Sequence, residues 1–237
     1  MAAFQRGGAR SISALLPIIS ITICCAAVAQ EKNPHEGQDK IDSARVYTFE
    51  KQELQLPDFP VEGWILDIGG GGEGVIGRLK GSQVVAIDLY AWGLRRTPPG
   101  PLKLVMDATD LKFLDESFGA VTSFFTLMYM NPEQQEKAMR EAFRVLKPGG
   151  KMRIWDVELP VSPDPKKDLA MYPFLFRLPK ETVDTGYGTF FPKQQMDLRY
   201  YSRMAEAAGF VVEDREVVRR TFRLILRKSN DTPVTPR

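Results

Sequence analysis

The densest run of chemically suggestive residues is the segment 65–74, which reads ILDIGGGGEG. Its glycines let backbone N–H groups approach a ligand closely, because no Cβ stands in the way. At a turn from a strand into a helix, such N–H groups point toward a bound ligand. Gly69, Gly71 and Gly74 have the spacing of a dinucleotide-binding fingerprint, and Asp88 follows at about the distance expected of a ribose ligand. The segment therefore predicts a nucleoside site, with a tight turn that binds nothing as the alternative.

Asp67 narrows the choice of ligand. A carboxylate just ahead of the glycines repels a pyrophosphate, but it attracts an amino group or a sulfonium. S-adenosylmethionine carries both cations and no phosphate, so Asp67 favours it over a dinucleotide. A second interpretation, compatible with the first, is that Asp67 anchors the glycine turn through backbone N–H groups.

Several other chemistries are excluded from the folded part of the chain. The single histidine, His35, and the only cysteines, Cys24 and Cys25, all lie within the first 35 residues. A histidine-based triad, a cysteine nucleophile and a Cys/His zinc site therefore have no candidates further along. We find no ligand spacing for an all-carboxylate metal site, so no metal is expected.

Strands and helices alternate in an order that brings these residues together. The predicted strands are residues 64–68, 84–87, 102–106, 120–126 and 151–156, and a helix begins at Asn131-Pro132-Glu133. A closing helix, 197–208, precedes paired strands at 210–218 and 221–227. This alternation predicts a doubly wound, mostly parallel α/β sheet, which binds ligands at the carboxyl ends of its strands. A short helix is predicted for residues 46–54.

Four segments occur in a fixed order along the chain. They are ILDIGGGG, VVAIDLY (84–90), VMDATDLKFLDESFGAVTSFFTLMYM (105–130) and EAFRVLKPGGKMRIWDV (141–157). With them the chain resembles the class I S-adenosylmethionine-dependent methyltransferases of the small-molecule type, similar to methyltransferase type 11. The resemblance is close over about residues 60–156 and extends to about 228. It implies a Rossmann-like sheet of seven strands in the order 3-2-1-4-5-7-6, with the last strand antiparallel.

The resemblance also implies S-adenosylmethionine as the cofactor and a role for each residue at these strand ends. Gly69 and Gly71 would lie under the methionine part of the cofactor, and Asp67 would support its amino group. Asp88 would accept hydrogen bonds from the ribose hydroxyls. For Asp88, and for Asp107 further along the chain, the alternative role is a helix cap or a turn former.

Beyond the ribose position, Asp107 would accept from the adenine amino group, with the backbone of Ala108 beside it. Two residues depart from the family pattern. Glu73 stands where a third glycine is common, and it could itself reach the cofactor amino group. Gly119 stands where an aspartate often opens the fourth strand, a change expected to be structural only.

The sulfonium is already an activated methyl donor, so positioning of the acceptor supplies much of the rate and a general base is optional. Tyr129 and Asp156 are the candidate catalytic residues, because they follow or end the fourth and fifth strands. Asp156 would accept a proton from a hydroxyl or amine acceptor. A buried tyrosine and a turn-forming aspartate are the alternatives. The aromatic insertion 157–195 is expected either to cover a small-molecule acceptor or to form a satellite core.

Residues 1–29 are interpreted as a signal peptide or membrane anchor, with Arg6 and Arg10 before an apolar run and a small-x-small site at 27–29. This predicts an exported or membrane-anchored protein, or a cytoplasmic one if the start codon is misassigned. Membrane contact is expected only through an uncleaved segment. Residues 30–45 are interpreted as a polar linker, 46–228 as the methyltransferase domain and 229–237 as a disordered tail. Removal of the segment leaves 30 basic and 30 acidic residues, so no nucleic-acid partner is expected.

Two other functions compete with methyl transfer. A nicotinamide-dependent oxidoreductase also fits the glycine pattern, but it predicts neither the acid before the glycines nor the KPGG turn at 147–150. A non-catalytic binding protein on the same scaffold is the second rival. Export strengthens this rival, because S-adenosylmethionine is made in the cytoplasm.

Overall fold

Eleven strands and four α-helices make up residues 42–230, the part of the chain that the computed structural model describes. The strands are β1 (Val46–Thr48), β2 (Gln52–Gln55), β3 (Ile65–Ile68), β4 (Val84–Asp88), β5 (Leu102–Val105), β6 (Phe118–Phe124), β7 (Leu146–Val157), β8 (Leu169–Arg177), β9 (Thr182–Phe190), β10 (Phe210–Val218) and β11 (Thr221–Lys228). The helices are α1 (Val75–Lys80), α2 (Ala91–Arg96), α3 (Pro132–Val145) and α4 (Leu198–Ala207), with 3-10 turns at Ser43–Arg45, Gly81–Gln83 and Leu127–Tyr129. The predicted signal segment 1–29, the linker up to residue 41 and the tail from residue 231 lie outside the described residues.

Seven of the strands form the central sheet in the order β5-β4-β3-β6-β7-β11-β10. The pairs among β3 to β7 are parallel, whereas β11 runs antiparallel to β7 and to β10. Numbered within this sheet, the order is 3-2-1-4-5-7-6, which is the one that the resemblance implies. All four residues of β3 are buried, as expected of a central strand covered by helices on both faces.

The helix after β6 begins as its sequence predicts. The side chain of Asn131 accepts from the backbone N–H of Gln134, and the Gln134 side chain accepts from the N–H of Asn131. This capping box satisfies two N–H groups that a helix start leaves unpaired. Met139 and Ala142 lie on the buried face of α3.

A second, smaller sheet is built on the insertion. β9 pairs antiparallel with the whole of β8, and β1 and β2 pair in parallel with successive parts of β8. The helix predicted for residues 46–54 is therefore wrong. Val46-Tyr47-Thr48 are β-branched and aromatic residues, and their backbone groups find partners on β8, more than 120 positions away. Such long-range pairing overrides local helical preference.

The aromatic side chains of the insertion divide between a packed core and the wall of a cavity. Tyr172, Phe174 and Phe176 are fully buried, and Phe176 packs edge-on against Phe124 of the central sheet with ring centroids 5.0 Å apart. This face extends the core. Tyr187 lies on β9 and lines a cavity, so the insertion also forms a wall of the site.

Strand β6 begins two residues before the predicted fourth strand, at Phe118. A Cβ at Gly119 would overlap the backbone carbonyl oxygen of Glu62, so the aspartate that often opens this strand has no room here. The strand ends at Phe124, because Phe125 takes a left-handed φ of 50°. Within residues 42–230, no helix is long and apolar enough to cross a membrane.

Candidate functional site

A cavity of about 650 Å³ opens at the carboxyl ends of the central strands. Its volume lies in the range of small-molecule binding sites. Every residue predicted to bind the cofactor lines it, as does one of the two candidate catalytic residues: Asp67, Gly69, Gly71, Glu73, Asp88, Asp107, Ala108 and Tyr129. The parallel strands bring these positions together because their carboxyl ends meet at one edge of the sheet.

The glycine turn forms the floor of the cavity between β3 and α1. Its N–H groups are held by neighbouring elements, since Gly70 donates to the carbonyl of Ile87 at 2.9 Å. Gly69 has a φ of 72°, and a Cβ there would overlap the side chain of Thr126. Glycine is therefore required at position 69 for both its backbone angle and its close approach to Thr126, just beyond the end of β6.

Asp67 lies beneath the glycine turn and is only 2% exposed. Its Oδ1 accepts from the hydroxyl of Thr122 at 2.7 Å. Burial raises the pKa of Asp67 to about 7. The suggested anchoring of the turn belongs instead to Asp88, whose Oδ2 accepts from the N–H of Gly71 at 3.2 Å. A cationic group beside Asp67 would offset the cost of burying its charge.

Asp88 and Asp107 each combine a turn with a face on the cavity. Oδ1 of Asp88 accepts from the N–H of Tyr90 at 2.9 Å, and Oδ1 of Asp107 accepts from the N–H of Thr109 at 2.8 Å. Burial raises the pKa of Asp88. A carboxylate has about four acceptor positions, so both residues keep lone pairs for a ligand hydroxyl or amino group. The two alternatives, turn former and ligand acceptor, are compatible in this geometry.

Glu73 reaches across the cavity to β9. Its two carboxylate oxygens accept from the hydroxyl of Thr185 at 2.8 Å and from the hydroxyl of Tyr187 at 3.1 Å. Burial, followed by the charge of Glu73, raises the pKa of Tyr187, which keeps its phenol protonated. This departure from the family's glycine therefore connects the glycine turn to the insertion.

The far end of the cavity is aromatic. Tyr187 stacks on Phe125 with ring centroids 5.2 Å apart, and Met130 and Gln134 lie beside them. Tyr129 is 53% exposed, on the 3-10 turn that follows β6. Partial burial, together with the charges of Asp156 and Glu73, raises the pKa of Tyr129. The tyrosines therefore present neutral phenols at this end.

Asp156 is placed differently from the prediction. It is completely buried under the turn of Leu127–Tyr129 and does not line the cavity. Its carboxylate accepts from the N–H of Met128 at 3.3 Å and from that of Val157 at 2.8 Å. Burial raises the pKa of Asp156 to about 7. Because it has no direct access to an acceptor, its contacts assign it to holding the turn that carries Tyr129.

Sequence reasoning missed several lining residues. Trp92, Met106, Phe125 and Gln134 carry no motif that marks them. Only Phe125 has a distinguishing feature, and that feature is visible in the structure and not in the sequence. Its φ is left-handed, which in a bulky residue is typical of functional sites. No group of three or more His, Cys, Asp or Glu side chains in the described part of the chain is placed to hold a metal ion.

Comparison with known proteins gives the same fold and a domain family. Residues 66–154 match the family model described as a methyltransferase domain. An 84-residue stretch, 34% of this chain, is 40% identical to the demethylmenaquinone methyltransferase of Renibacterium salmoninarum, and a 99-residue stretch, 39% of this chain, is 37% identical to the protein of that name from Clavibacter sepedonicus. The chain spans 34% and 40% of the length of these two relatives.

Solved structures show a similar fold at low sequence identity. A protein from Pyrococcus horikoshii aligns with a TM-score of 0.53 and 19% identity, over 70% of this chain and 83% of that one. A protein titled as an S-adenosylmethionine-dependent methyltransferase, from Methanosarcina mazei, aligns with a TM-score of 0.53 and 22% identity, over 73% of this chain and 95% of that one. These likenesses establish the Rossmann-like fold of the domain.

Proposed function

We propose that this chain is a class I S-adenosylmethionine-dependent methyltransferase, which transfers a methyl group from S-adenosylmethionine to a small-molecule acceptor. The match of residues 66–154 to a methyltransferase domain and the Rossmann-like fold support this proposal. One observation carries the proposal. Asp67, Asp88 and Asp107, from three adjacent strands, face a single cavity over a glycine turn. A nucleoside cation without phosphate is the ligand that such a set of carboxylates fits.

The residues on the cavity fit this cofactor in charge and in hydrogen bonding. Asp67 is a buried carboxylate with one hydroxyl donor, so a nearby ammonium would complete its environment. Asp88 and Asp107 offer hydrogen-bond acceptor oxygens at the positions where the ribose hydroxyls and the adenine amino group would bind. The cofactor supplies an activated methyl group on a sulfonium. The protein needs to hold both reactants in line and to keep water out.

The same residues argue against a nicotinamide enzyme. Among the described residues that line the cavity, Arg96 on α2 is the only basic one, and its guanidinium lies 5.9 Å from the centroid of the Trp92 ring. Asp67 and Glu73 flank the glycine turn. Two phosphates placed over the turn would face these two carboxylates, with Arg96 as the single cation among the described lining residues.

The acceptor end favours an uncharged, partly aromatic substrate. Phe125, Tyr129 and Tyr187 supply apolar faces and two neutral phenols. No basic side chain among the lining residues described here stands at that end to bind an anionic acceptor. The name of the relatives, demethylmenaquinone methyltransferase, makes demethylmenaquinone one candidate acceptor. The substrate class, an uncharged and partly aromatic compound, is inferred from the cavity walls, which include the insertion. The choice of demethylmenaquinone rests on the name of the relatives alone.

The protein groups act mainly by position. Tyr129 presents a phenol on a turn that Asp156 fixes from below, so it is suited to orient an acceptor hydroxyl or amine by a hydrogen bond. Its raised pKa keeps the phenol protonated near neutral pH, so Tyr129 is not a base there. The phenol oxygen can accept a hydrogen bond from the acceptor hydroxyl or amine, which leaves the acceptor lone pair free to attack the methyl group. The acceptor proton therefore leaves to solvent after transfer, which agrees with a general base being optional.

Methyl transfer is tested by incubating the full chain with S-adenosylmethionine bearing a deuterated methyl group and a small-molecule extract. The proposal predicts a product that gains one labelled methyl group, together with S-adenosylhomocysteine, both detected by mass spectrometry. A matched reaction with the Asp88→Ala variant controls for other enzymes. A labelled product of equal yield from that variant, or none from the wild type although it binds the cofactor, contradicts catalysis and favours a binding protein.

Affinity for S-adenosylmethionine is expected to rise with pH up to about pH 7. Burial raises the pKa of Asp67 to about 7, and only the ionised carboxylate attracts an ammonium. Below that pH each binding event releases a proton, so affinity falls by up to roughly tenfold per pH unit. Calorimetry near pH 6, 7 and 8 measures this slope.

Asp67→Asn removes this titration, so its binding should be weaker at pH 8 and nearly independent of pH. The contribution of Asp67 to folding stability changes with pH in the opposite direction. The ligand-free folded state keeps its proton up to pH 7, whereas the unfolded chain loses it near the ordinary pKa, so this residue's contribution to stability declines as pH rises between the two. An Asp67→Asn variant with the wild-type slope would assign the effect to another group, such as Asp156.

A further inference from the structure

Glu73 is the residue by which the glycine turn touches the acceptor wall. It directly precedes Gly74, the residue before α1, yet both of its carboxylate oxygens accept from β9. Hydrogen bonds to an ionised acceptor are shorter and stronger than those between neutral groups. The contact therefore joins two parts of the site that lie 112 and 114 positions apart in sequence.

β9 contacts both the glycine turn and the turn that carries Tyr129. Tyr187 donates to Glu73 and stacks on Phe125. Two residues further along β9, the hydroxyl of Thr189 donates to the carbonyl of Met128 at 3.0 Å, on the turn that carries Tyr129. A shift of β9 would therefore move both aromatic groups of the acceptor end.

The backbone of Glu73 is fixed separately from its side chain. Nε of Arg78 donates to the carbonyl of Glu73 at 2.7 Å, and another nitrogen of Arg78 pairs with Glu181, beside the start of β9, at 2.7 Å. The glycine turn, α1 and the hairpin are thus linked at two places. Only the Glu73 link faces the cavity.

We propose that Glu73 is a positioning residue, which couples occupation of the glycine turn to the placement of Tyr187 and β9 at the acceptor end. The inference rests on the proposed function, because it takes the glycine turn as the cofactor site. A ligand that orders the turn also fixes the Glu73 carboxylate, and the carboxylate then holds Thr185 and Tyr187. Coupling of this kind is reciprocal, so an ordered β9 also favours the cofactor.

The test is amide hydrogen exchange of residues 182–190 in the full chain, with and without saturating S-adenosylhomocysteine. In the wild type the ligand should slow exchange in β9 by between roughly 5-fold and 150-fold, the usual span of coupling between sites. In Glu73→Ala the ligand should still bind, through Asp88 and the glycine turn, but the extra slowing should disappear. Glu73→Gln, which keeps one hydrogen-bond acceptor, should restore part of it.

Asp184→Asn is the matched control. Asp184 lies on β9, next to Thr185, and its substitution removes one negative charge, as the Glu73 substitutions do. Its side chain is exposed and pairs with Lys51 at 2.6 Å, outside the cavity. It should keep the full ligand-induced slowing. Slowing that persists in Glu73→Ala, or is absent from the wild type, overturns the coupling. Loss of ligand binding in both Glu73 variants also overturns it, because Glu73 would then contact the cofactor itself. A wild type that binds no S-adenosylhomocysteine contradicts the proposed function instead.

Discussion

Replacing Asp88 with alanine is expected to weaken S-adenosylmethionine binding by roughly 100-fold or more, about 3 kcal/mol. The side chain ends β4, faces the cavity and accepts from the N–H groups of Gly71 and Tyr90. Its removal takes away the proposed ribose acceptor and one anchor of the glycine turn at the same time. Calorimetry on wild type and variant measures the change directly.

Two further variants separate these contributions. Asp88→Asn keeps one oxygen of similar position, so it should lose less affinity than the alanine variant. Asp110→Asn removes an exposed carboxylate that pairs with Lys112, and its affinity should equal that of the wild type. An alanine variant at position 88 that binds as tightly as the wild type would show that the ribose is not held there.

The second large effect is on stability. Gly69→Ala is expected to lower the free energy of unfolding by about 3 kcal/mol or more, because a Cβ at this position combines a left-handed backbone with a clash inside a packed site. For a chain of this size that corresponds to a fall in Tm of roughly 6–12 °C. The clash is with Thr126, two residues beyond the end of β6, so the variant should also lose its affinity for the cofactor.

Gly72→Ala is the matched control for this substitution. Gly72 also has a positive φ, 63°, but a Cβ there meets nothing within 4 Å. Its cost should be the backbone preference alone, about 1–2 kcal/mol. Equal melting temperatures for the two variants would mean that the turn relaxes around position 69, and that its close approach to Thr126 is unimportant.

The sequence predicted the cofactor side of the site better than the acceptor side, for a physical reason. Asp67, Asp88 and Asp107 each lie at or near the end of a short strand of the central sheet, and the carboxyl ends of parallel strands meet at one edge whatever the side chains are. Asp156 lies at such an end as well, but the turn of Leu127–Tyr129 covers it. Position along a strand predicts the edge of the sheet, and not whether a later turn closes over a side chain.

Long-range pairing explains the other differences. Residues 46–54 were expected to be helical, yet β1 and β2 form only because β8 supplies their partners. Tyr187 lies between two glycines, in a segment without a helical or alternating apolar pattern. Its place follows from its pairing opposite Tyr172 and from its bond to Glu73, neither of which a local pattern contains.

Titration calorimetry of the full chain with S-adenosylmethionine, and separately with NAD, tests the central claim most directly. If the three carboxylates and the glycine turn form a site for a phosphate-free nucleoside cation, S-adenosylmethionine should bind at one site per chain, Asp88→Ala should abolish most of that affinity, and NAD should give no heat of binding. Binding of NAD, or of neither compound, would contradict it.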